Sequence, residues 1–504
     1  MTEKSFKTTK AFLLDQVKQD PGLPRSQPTA SFWQAVPHPM LANKQSHQLP
    51  GSTDVAIIGS GITGCSVAKH LLDLSSQSAD GAMTVTVFEA RTLMSGATGR
   101  NGGLLSTFVP EEFADLLEHY GAEEAVKIAR FAKRNLEKVH ELASASPERK
   151  EYSQVRLLRD VICFSNSEDF ALAKESWTLY EEYVPEDKGK TEFLSSEEAA
   201  KKYNVRATAG AVTFPNGAGW PYRLITDVWS QLYDEYQSRF SIETTTAVEN
   251  ITYDASCREH PYTLHTPRGD VKAAKIIHAT NGYAGHLLPC LRGSIYPLRG
   301  SMSVQKSTPE FGQHGGSLTW SMANRRTYEP ETDVLEAGTY YAHQNALTGD
   351  IFVGGEKTKA SDFFVADDAE MNTHCRDNFA SLLPRYFING WNKEDQGAAG
   401  PEIRATWTGI MGFTGDRLPL VGPLPESATR RGRGEGGEGG EWIAAGFNGY
   451  GMSLCWACGE AVAKMVLGMD VSEFLPGAFL ATRQRIEQPA QRGALDAVLE
   501  LLPV

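Results

Sequence analysis

The sequence predicts a mixed α/β chain of at least two domains that opens on a nucleotide-binding βαβ unit, and three observations lead there. The 504 residues are 41% hydrophobic, enough for a large core and long for one ordinary domain. The stretch VAIIGSGITGCSVAKHLL, followed by VTVFEA, reads as strand, glycine-rich turn, helix and strand. Near the far end, WIAAGFNGYGMSLCWACGEAVAKMVLG repeats the order of strand, glycine-rich turn and helix.

Val55 to Ile58 is a short apolar run bounded by glycine, as expected of a buried strand. Gly59, Gly61 and Gly64 then keep the G-x-G-x-x-G spacing. Gly59 permits a tight turn, Gly61 lets the backbone approach a phosphate, and Gly64 lets the helix from Cys65 to Leu72 pack close to the strand. The helix start offers free N–H groups to an anion. Val85 to Phe88 forms a second strand, and Glu89 closes it where a ribose-binding carboxylate belongs. The cofactor therefore contains adenine and ribose, and these residues leave open which one it is.

Composition narrows the function. A net charge of −13 argues against a nucleic-acid backbone as partner. No run reaches the roughly 18 apolar residues of a membrane span. The N-terminal segment, with Lys4, Lys7 and Lys10 among polar residues, lacks a signal-peptide core, so a cytoplasmic protein with no membrane partner is expected. The 7 cysteines are scattered, as reduced thiols would be. Cys455 and Cys458 form the one close pair but sit in a helical pattern, so they read as core residues and no metal is expected. Residues 1–50 are polar and proline-rich and read as an extended arm. Ala122 to Ala143 has the period of an amphipathic helix, and ESATRRGRGEGGEGGE, Glu426 to Glu441, reads as a flexible loop between strands.

What distinguishes the cofactor lies after Glu89. Ala90 and Arg91 lead to SGATGRNGG, Ser95 to Gly103, a run that can bring many backbone N–H groups against a long anionic ligand. AKIIHATNGYAGHLLP (Ala274 to Pro289) ends a strand on Ala279, Thr280 and Asn281, and PLRGSM (Pro297 to Met302) follows. WTGIMGFTGDRLPLVG (Trp407 to Gly422) precedes the second glycine-rich turn. Five motifs in this order resemble the D-amino-acid oxidase superfamily of FAD-dependent oxidoreductases, which includes glycine oxidase, sarcosine oxidase and γ-glutamylputrescine oxidase. GATGRNGG is most similar to the γ-glutamylputrescine oxidase branch, and the resemblance runs from about Asp54 to about Gly468.

The resemblance implies FAD and an α/β (α+β) architecture: a Rossmann-like, glutathione-reductase-type cofactor domain interleaved with a substrate domain built on a large, mainly antiparallel sheet. The expected boundaries are an arm at 1–50, cofactor segments at 51–155, 219–292 and 401–504, and substrate segments at 156–218 and 293–400. RLLRDVICFSNSEDF (Arg156 to Phe170), GAVTFPNGAGWP (Gly210 to Pro221) and TYYAHQNALTGDIFVGGEK (Thr339 to Lys357) read as substrate-domain strands.

By the same resemblance, Gly59, Ser60, Gly61, Ile62 and Gly64 hold the pyrophosphate, and Glu89, Ala90 and Arg91 hold the AMP ribose and its surroundings. Gly96, Ala97, Thr98, Arg100, Asn101, Gly102, Gly103 and Leu104 line the flavin side. Val248, Ala279, Thr280 and Asn281 close the adenine end, and Trp407, Asp416 and Gly446 belong to the cofactor set. Asn448, Gly449, Tyr450, Gly451 and Met452 set N–H groups near the flavin N1/O2 edge, where reduced flavin carries negative charge.

Flavin accepts a hydride at N5 from a carbon bearing nitrogen, giving an imine that water hydrolyses, so no strong side-chain base is required. The protein holds that carbon over the ring and favours the neutral amine. Candidate cage residues are Trp220, Tyr340, Tyr341, His343 and Glu356, with aromatics facing a cationic amine and Glu356 pairing with it. Arg100 and Met411 complete the candidate catalytic set. Tyr340 and Tyr341 read equally well as alternate faces of one strand, and His343 as a strand-end residue.

Departures from the family carry information. The histidine that tethers FAD in some relatives is matched by Arg100, and Trp407 to Gly415 contains no cysteine, so FAD is expected to be non-covalent. The lysine that sarcosine oxidases turn toward oxygen is matched by Phe352, which leaves O2 as the expected acceptor and a dehydrogenase as the alternative. The arginine that clamps a substrate α-carboxylate falls on Met411, the basic residue of sarcosine oxidases falls on Ser453, and no arginine occurs between Leu104 and Ala129. Burying an unpaired carboxylate costs on the order of several kcal/mol. The expected substrate is a larger, partly apolar amine without a simple α-amino acid carboxylate, unless Arg404 or Arg299 takes over the clamp. A flavin monooxygenase, suggested by Gly415-Asp416, and a non-catalytic flavin-binding protein are the alternatives.

Overall fold

The strands fall into two sheets, each drawing on separate stretches of the chain. The structure, a computed structural model, describes residues 8–76, 83–391, 401–432, 440–489 and 492–502. The first sheet runs in the order Leu420–Pro423, Glu441–Ala445, Gly269–His278, Ser52–Ile58, Val85–Phe88, Phe240–Glu243, with Asn250–Tyr253 and Tyr262–Thr266 added against Gly269–His278. From Glu441–Ala445 to Phe240–Glu243 the pairings are parallel, and Leu420–Pro423 joins antiparallel. Val85–Phe88 is buried at every residue, as a strand covered on both faces should be. The helices after the two glycine-rich turns, Ile62–Ser75 and Cys455–Val466, pack on each other. Ser66 Oγ donates to Trp456 O at 2.5 Å, and a Cβ at Gly459 would come within 2.6 Å of Ser66. Cys455 and Cys458 are free and buried in the second of these helices.

The second sheet runs Ile403–Thr414, Ile295–Gln305, Ile351–Lys359, Val334–Gln344, Leu318–Ala323, Arg156–Phe164, Gly210–Ala218, Glu192–Leu194, with Thr327–Glu329 on the side of Val334–Gln344. Its pairings are antiparallel except Leu318–Ala323 with Arg156–Phe164. Ile403–Thr414 lies in this sheet, in register with Ile295–Gln305 from Ile295↔Thr414 to Val304↔Ala405. The boundary expected at 401 therefore cuts on the wrong side of that strand. The glycine-rich sequence there resembles a cofactor motif, whereas the pairing is decided by a strand a hundred residues earlier.

Alternation gives this sheet two different faces. Val161, Cys163, Trp320, Met322, Tyr340, Ala342 and Val353 pack in one cluster with Phe379, Leu382 and Leu383 of the helix Thr373–Tyr386. Asp160, Ile162, Ser321, Ala323, Ala337, Thr339, Tyr341 and Glu356, offset by one residue, face a cavity.

The arm is more structured than its composition suggests. Lys10–Gln16 is helical with Thr9 as N-cap, and the segment is bonded to both sheets, to Glu243 of the first through Ser46 and to Thr408 of the second through Thr29. Thr8 bonds Asp333 at 3.0 and 2.9 Å, Ser31 Oγ donates to Gly99 O at 2.7 Å, and Gln45 donates to Thr244 O at 2.7 Å. The helical segment after it spans Phe113–Ala143, broken at Gly121 (φ 76°), so helix begins earlier than Ala122. The expected loop Glu426 to Glu441 opens with the helix Glu426–Thr429, and its residues 433–439 lie outside the described residues. Among the described residues no helix is long and apolar enough to cross a membrane.

Candidate active site

One cavity of about 670 Å³ takes its wall from both sheets. Its cofactor end begins at the first strand. Gly59 sits at φ +111°, and a Cβ there would lie 2.5 Å from Ala279 O. A Cβ at Gly64 would lie 2.0 Å from Gly59 O, so only glycine lets the helix come this close to the turn. Ser60, Gly61, Ile62, Glu89, Ala90, Arg91, Val248, Ala279, Thr280 and Asn281 line this end. Glu89 accepts from Ser60 N–H at 3.2 Å, Ser60 Oγ at 2.6 Å and Arg91 N–H at 3.0 Å, which fixes its carboxylate beside the turn.

Gly96, Ala97, Thr98, Arg100, Asn101, Gly102 and Leu104 continue the wall, and Asn448, Gly449, Tyr450, Gly451 and Met452 face them. Arg100 is held by Ser95 O and Thr408 O, both at 2.8 Å. Burial pushes its pKa down to about 10, against the pull of Asp368. Arg91 pairs with the same Asp368 at 2.9 Å.

Five residues of the expected cofactor set stand behind the wall. Gly64 packs helix on turn, and Gly103 (φ +73°) sits beside Trp33 and Gly219. Trp407 donates to Arg100 O at 2.8 Å, Asp416 pairs with Arg485 at 2.7 Å, and Gly446 N–H donates to Asn281 Oδ1 at 3.0 Å.

At the other end, Tyr341, Glu356 and Met411 share the wall. A Cβ at Gly354 or Gly102 would come within 2.2 or 2.4 Å of the Tyr341 ring, so two glycines make the slot it occupies. Both Glu356 oxygens accept from Ser301, one from its N–H and one from its Oγ at 2.9 Å. Burial pushes the Glu356 carboxyl up to about 8, with the Ser301 bonds and Arg299 opposing the rise. The Met411 methyl lies over Gly300, where a Cβ would meet it at 2.8 Å.

Three expected cage residues are not in this wall. Tyr340 lies on the opposite sheet face, bonded to Glu336 and Asn378, each at 2.9 Å, because neighbours on a strand point to opposite sides. Trp220 packs against Phe32 and Trp33 and donates to Trp33 O at 2.8 Å. His343 is on the Tyr341 face but is covered by the arm: it stacks in parallel with Phe352 at 5.0 Å and Trp33 at 6.1 Å. Burial pushes its pKa down to about 3, so it stays neutral. Neither Arg404, paired with Asp350 at 2.9 Å, nor Arg299, beside Asp362 and Asp367 O, lies in the wall.

The wall also contains residues the motifs did not reveal. Gly22, Leu23 and Pro24 bring the arm to the cavity, and Glu111, Glu112, Asp160, Arg326, Arg417 and Arg492 give it charge. Asp160 is the one with a readable signal, since it alternates with Ile162 on a strand that was expected. The donors fit a polar cofactor. Thr280 Oγ1 and Tyr283 Oη are buried at or beside this wall without a partner among the described residues. The N-cap of the Ile62–Ser75 helix is Gly61, which has no side chain to cap it, while Thr98 Oγ1 accepts from the Ile62 N–H at 3.0 Å.

Residues 54–465 match the family model DAO, described as FAD dependent oxidoreductase. The chain is 23% identical over 440 residues to the "Probable oxidoreductase OrdL" of Rhizobium meliloti, covering 83% of this chain and 85% of that protein. It is 23% identical over 431 residues to the gamma-glutamylputrescine oxidoreductase of Escherichia coli, covering 84% and 85%. The glycine oxidase structure from Geobacillus kaustophilus superposes with a TM-score of 0.62 at 20% identity, over 86% of this chain and 99% of that one.

Proposed function

The chain belongs to the DAO family of FAD-dependent oxidoreductases, and from that premise we propose that it oxidises a C–N bond of an amine at the Tyr341, Met411 and Glu356 part of the cavity. The observation that carries this reading is Glu356, a buried carboxyl in the cavity wall with a pKa near 8. FAD, when bound, supplies the two-electron acceptor for the hydride. The chain's part is to deliver a neutral amine. Glu356 as carboxylate takes a proton from the substrate ammonium and keeps it as a carboxylic acid, leaving the nitrogen lone pair to drive loss of the hydride and form the imine. Tyr341, fixed in its glycine slot, packs against the ammonium as it arrives, and Met411 keeps water from the reacting carbon. The names of two similar proteins, a gamma-glutamylputrescine oxidoreductase and a glycine oxidase, support a nitrogen-bearing substrate.

The carbon beside the reacting nitrogen carries no carboxylate in this reading, because Met411 can form no charge-assisted bonds to one. With FAD bound, O2 would be the terminal electron acceptor and H2O2 the second product, and the proposed place of work is the cytoplasm. FAD is held without a covalent bond, and the engagement of Arg100 by Ser95 O and Thr408 O supports this. Acid precipitation should leave all yellow colour in the supernatant; colour retained in the pellet after washing in denaturant would show a covalent link. The oxidation itself is tested by supplying amines to the aerobic holoenzyme and measuring H2O2 against imine-derived carbonyl. Equal yields are expected. Carbonyl formed only with an added dye would make it a dehydrogenase.

A further inference from the structure

We infer that Arg326 recognises an anionic group of the substrate, so that the preferred amines carry a carboxylate remote from the oxidised carbon rather than beside it. This rests on the amine-oxidation reading of the same cavity. Of the five arginines in the wall, four are already engaged: Arg91 pairs with Asp368 at 2.9 Å, and Arg100 donates to Ser95 O and Thr408 O. Arg417 pairs with Glu112 at 2.5 Å and Asp115 at 3.3 Å, and Arg492 donates to Tyr120 Oη at 2.6 Å and Asp416 O at 3.4 Å. Arg326 has no hydrogen bond or ion pair among the described residues, although it is accessible and lies in the cavity wall.

Its surroundings make that vacancy costly. Burial by the protein around it and the like charge of Arg417 lower the Arg326 pKa, and the more weakly acting Glu112 and Glu500 only partly offset them. A guanidinium in such a place gains most from an anion, which it meets with paired, charge-assisted bonds. The loop that carries it is pinned. Asn324 N–H donates to Gly338 O at 2.9 Å, and Gly338 (φ +85°) has no room for a Cβ, which would lie 2.3 Å from Asn324 O. Ala323, next to that loop, pairs with Thr339, and both face the cavity, so Arg326 continues the wall that Tyr341 begins.

Charge elsewhere in the wall orients the anion. Glu111 has no partner among the described residues and lies near Glu112 and Asp160, so that side disfavours a carboxylate. Glu356 and Met411 do the same at the reacting carbon. The chemistry selects an amine at one end and an anion at the other.

The test uses the holoenzyme and a ladder of ω-amino carboxylates, from glycine to 8-aminooctanoate, each against the alkylamine of equal chain length. Anaerobic flavin reduction should favour the carboxylate member once the chain is long enough, with glycine among the poorest. Arg326→Gln should cut that preference by about 10- to 100-fold, as loss of hydrogen bonds to a charged group does, and Arg326→Lys should retain part of it. An unchanged preference in Arg326→Gln, or no preference at any length in the unmodified protein, overturns the inference. A second readout needs no turnover and no variant: hexanoate should perturb the bound-flavin spectrum of the unmodified protein and hexanol should not, and equal effects overturn it. If no amine reduces the flavin but hexanoate binds and Arg326→Gln abolishes that binding, the amine reading fails while the anion site stands.

Discussion

The two ends of the cavity are built by different means. At the end proposed to hold the cofactor the wall is backbone brought close by Gly59, Gly61 and Gly64, beside one carboxylate, Glu89, fixed by its neighbours. At the other end the wall is made by side chains from several strands and loops, including Tyr341, Glu356, Met411, Arg326 and Arg417, which are the groups proposed to recognise the substrate. Backbone recognition constrains the sequence at every position of a short run. Side-chain recognition constrains one residue at a time, at positions scattered along the chain. The first end is therefore rigid in kind across many substrates, and the second is free to change with the substrate.

The comparison breaks most sharply at Gly64. Gly64→Val places carbon where even a Cβ would sit 2.0 Å from Gly59 O. Overpacking costs about 1–3 kcal/mol in a core that can adjust, and this site abuts backbone that cannot. FAD affinity should fall at least about 100-fold, measured by titrating apoprotein with FAD and following fluorescence quenching. Wild-type affinity would mean that the helix does not need its present distance from the turn.

Glu356→Gln is the matching substitution at the substrate end, and FAD should still bind. Glu356 is protonated below a pH of about 8, so the form able to take the ammonium proton grows as pH rises through that value. In the unmodified enzyme kcat/KM should rise through pH 8. In Glu356→Gln, which cannot titrate, it should lose that limb and lie about 100-fold lower at pH 9. Retention of the limb would assign it to the amine's own ionisation.

Smaller effects separate the two faces of one strand. Tyr341→Leu removes a ring from the wall and should raise KM about 10-fold, the scale of a partly desolvated cation–π contact, with little change in melting temperature. Tyr340→Phe removes a hydroxyl bonded to Glu336 and Asn378. It should cost about 1–2 kcal/mol of stability and leave KM alone, by steady-state kinetics and denaturant melts. If the roles were exchanged, the strand register would be shifted by one residue.

This contrast also explains what the sequence made legible. The βαβ unit, its glycine triplet and Glu89 were readable because a phosphate site needs those residue types at fixed spacing. The Tyr340/Tyr341 alternation was readable as a pattern, but which tyrosine faced the cavity was not, since the facing side depends on where the helix Thr373–Tyr386 packs. His343 shares the face of Tyr341 and is lost to the cavity because Trp33, from an arm with no periodic signal, lies over it. Arg326 and Arg417 follow strand ends in loops, where neither spacing nor alternation marks a function. Ile403–Thr414 was misplaced at a domain boundary because strand pairing is a long-range choice.

The most direct test of the central claim is anaerobic mixing of the purified yellow protein with the amine ladder, following loss of flavin absorbance in the absence of any nicotinamide cofactor. Complete bleaching by at least one amine at a concentration-dependent, saturating rate is the result predicted here. Bleaching by NADPH with none from any amine would contradict it and place the chain's chemistry with flavin monooxygenases.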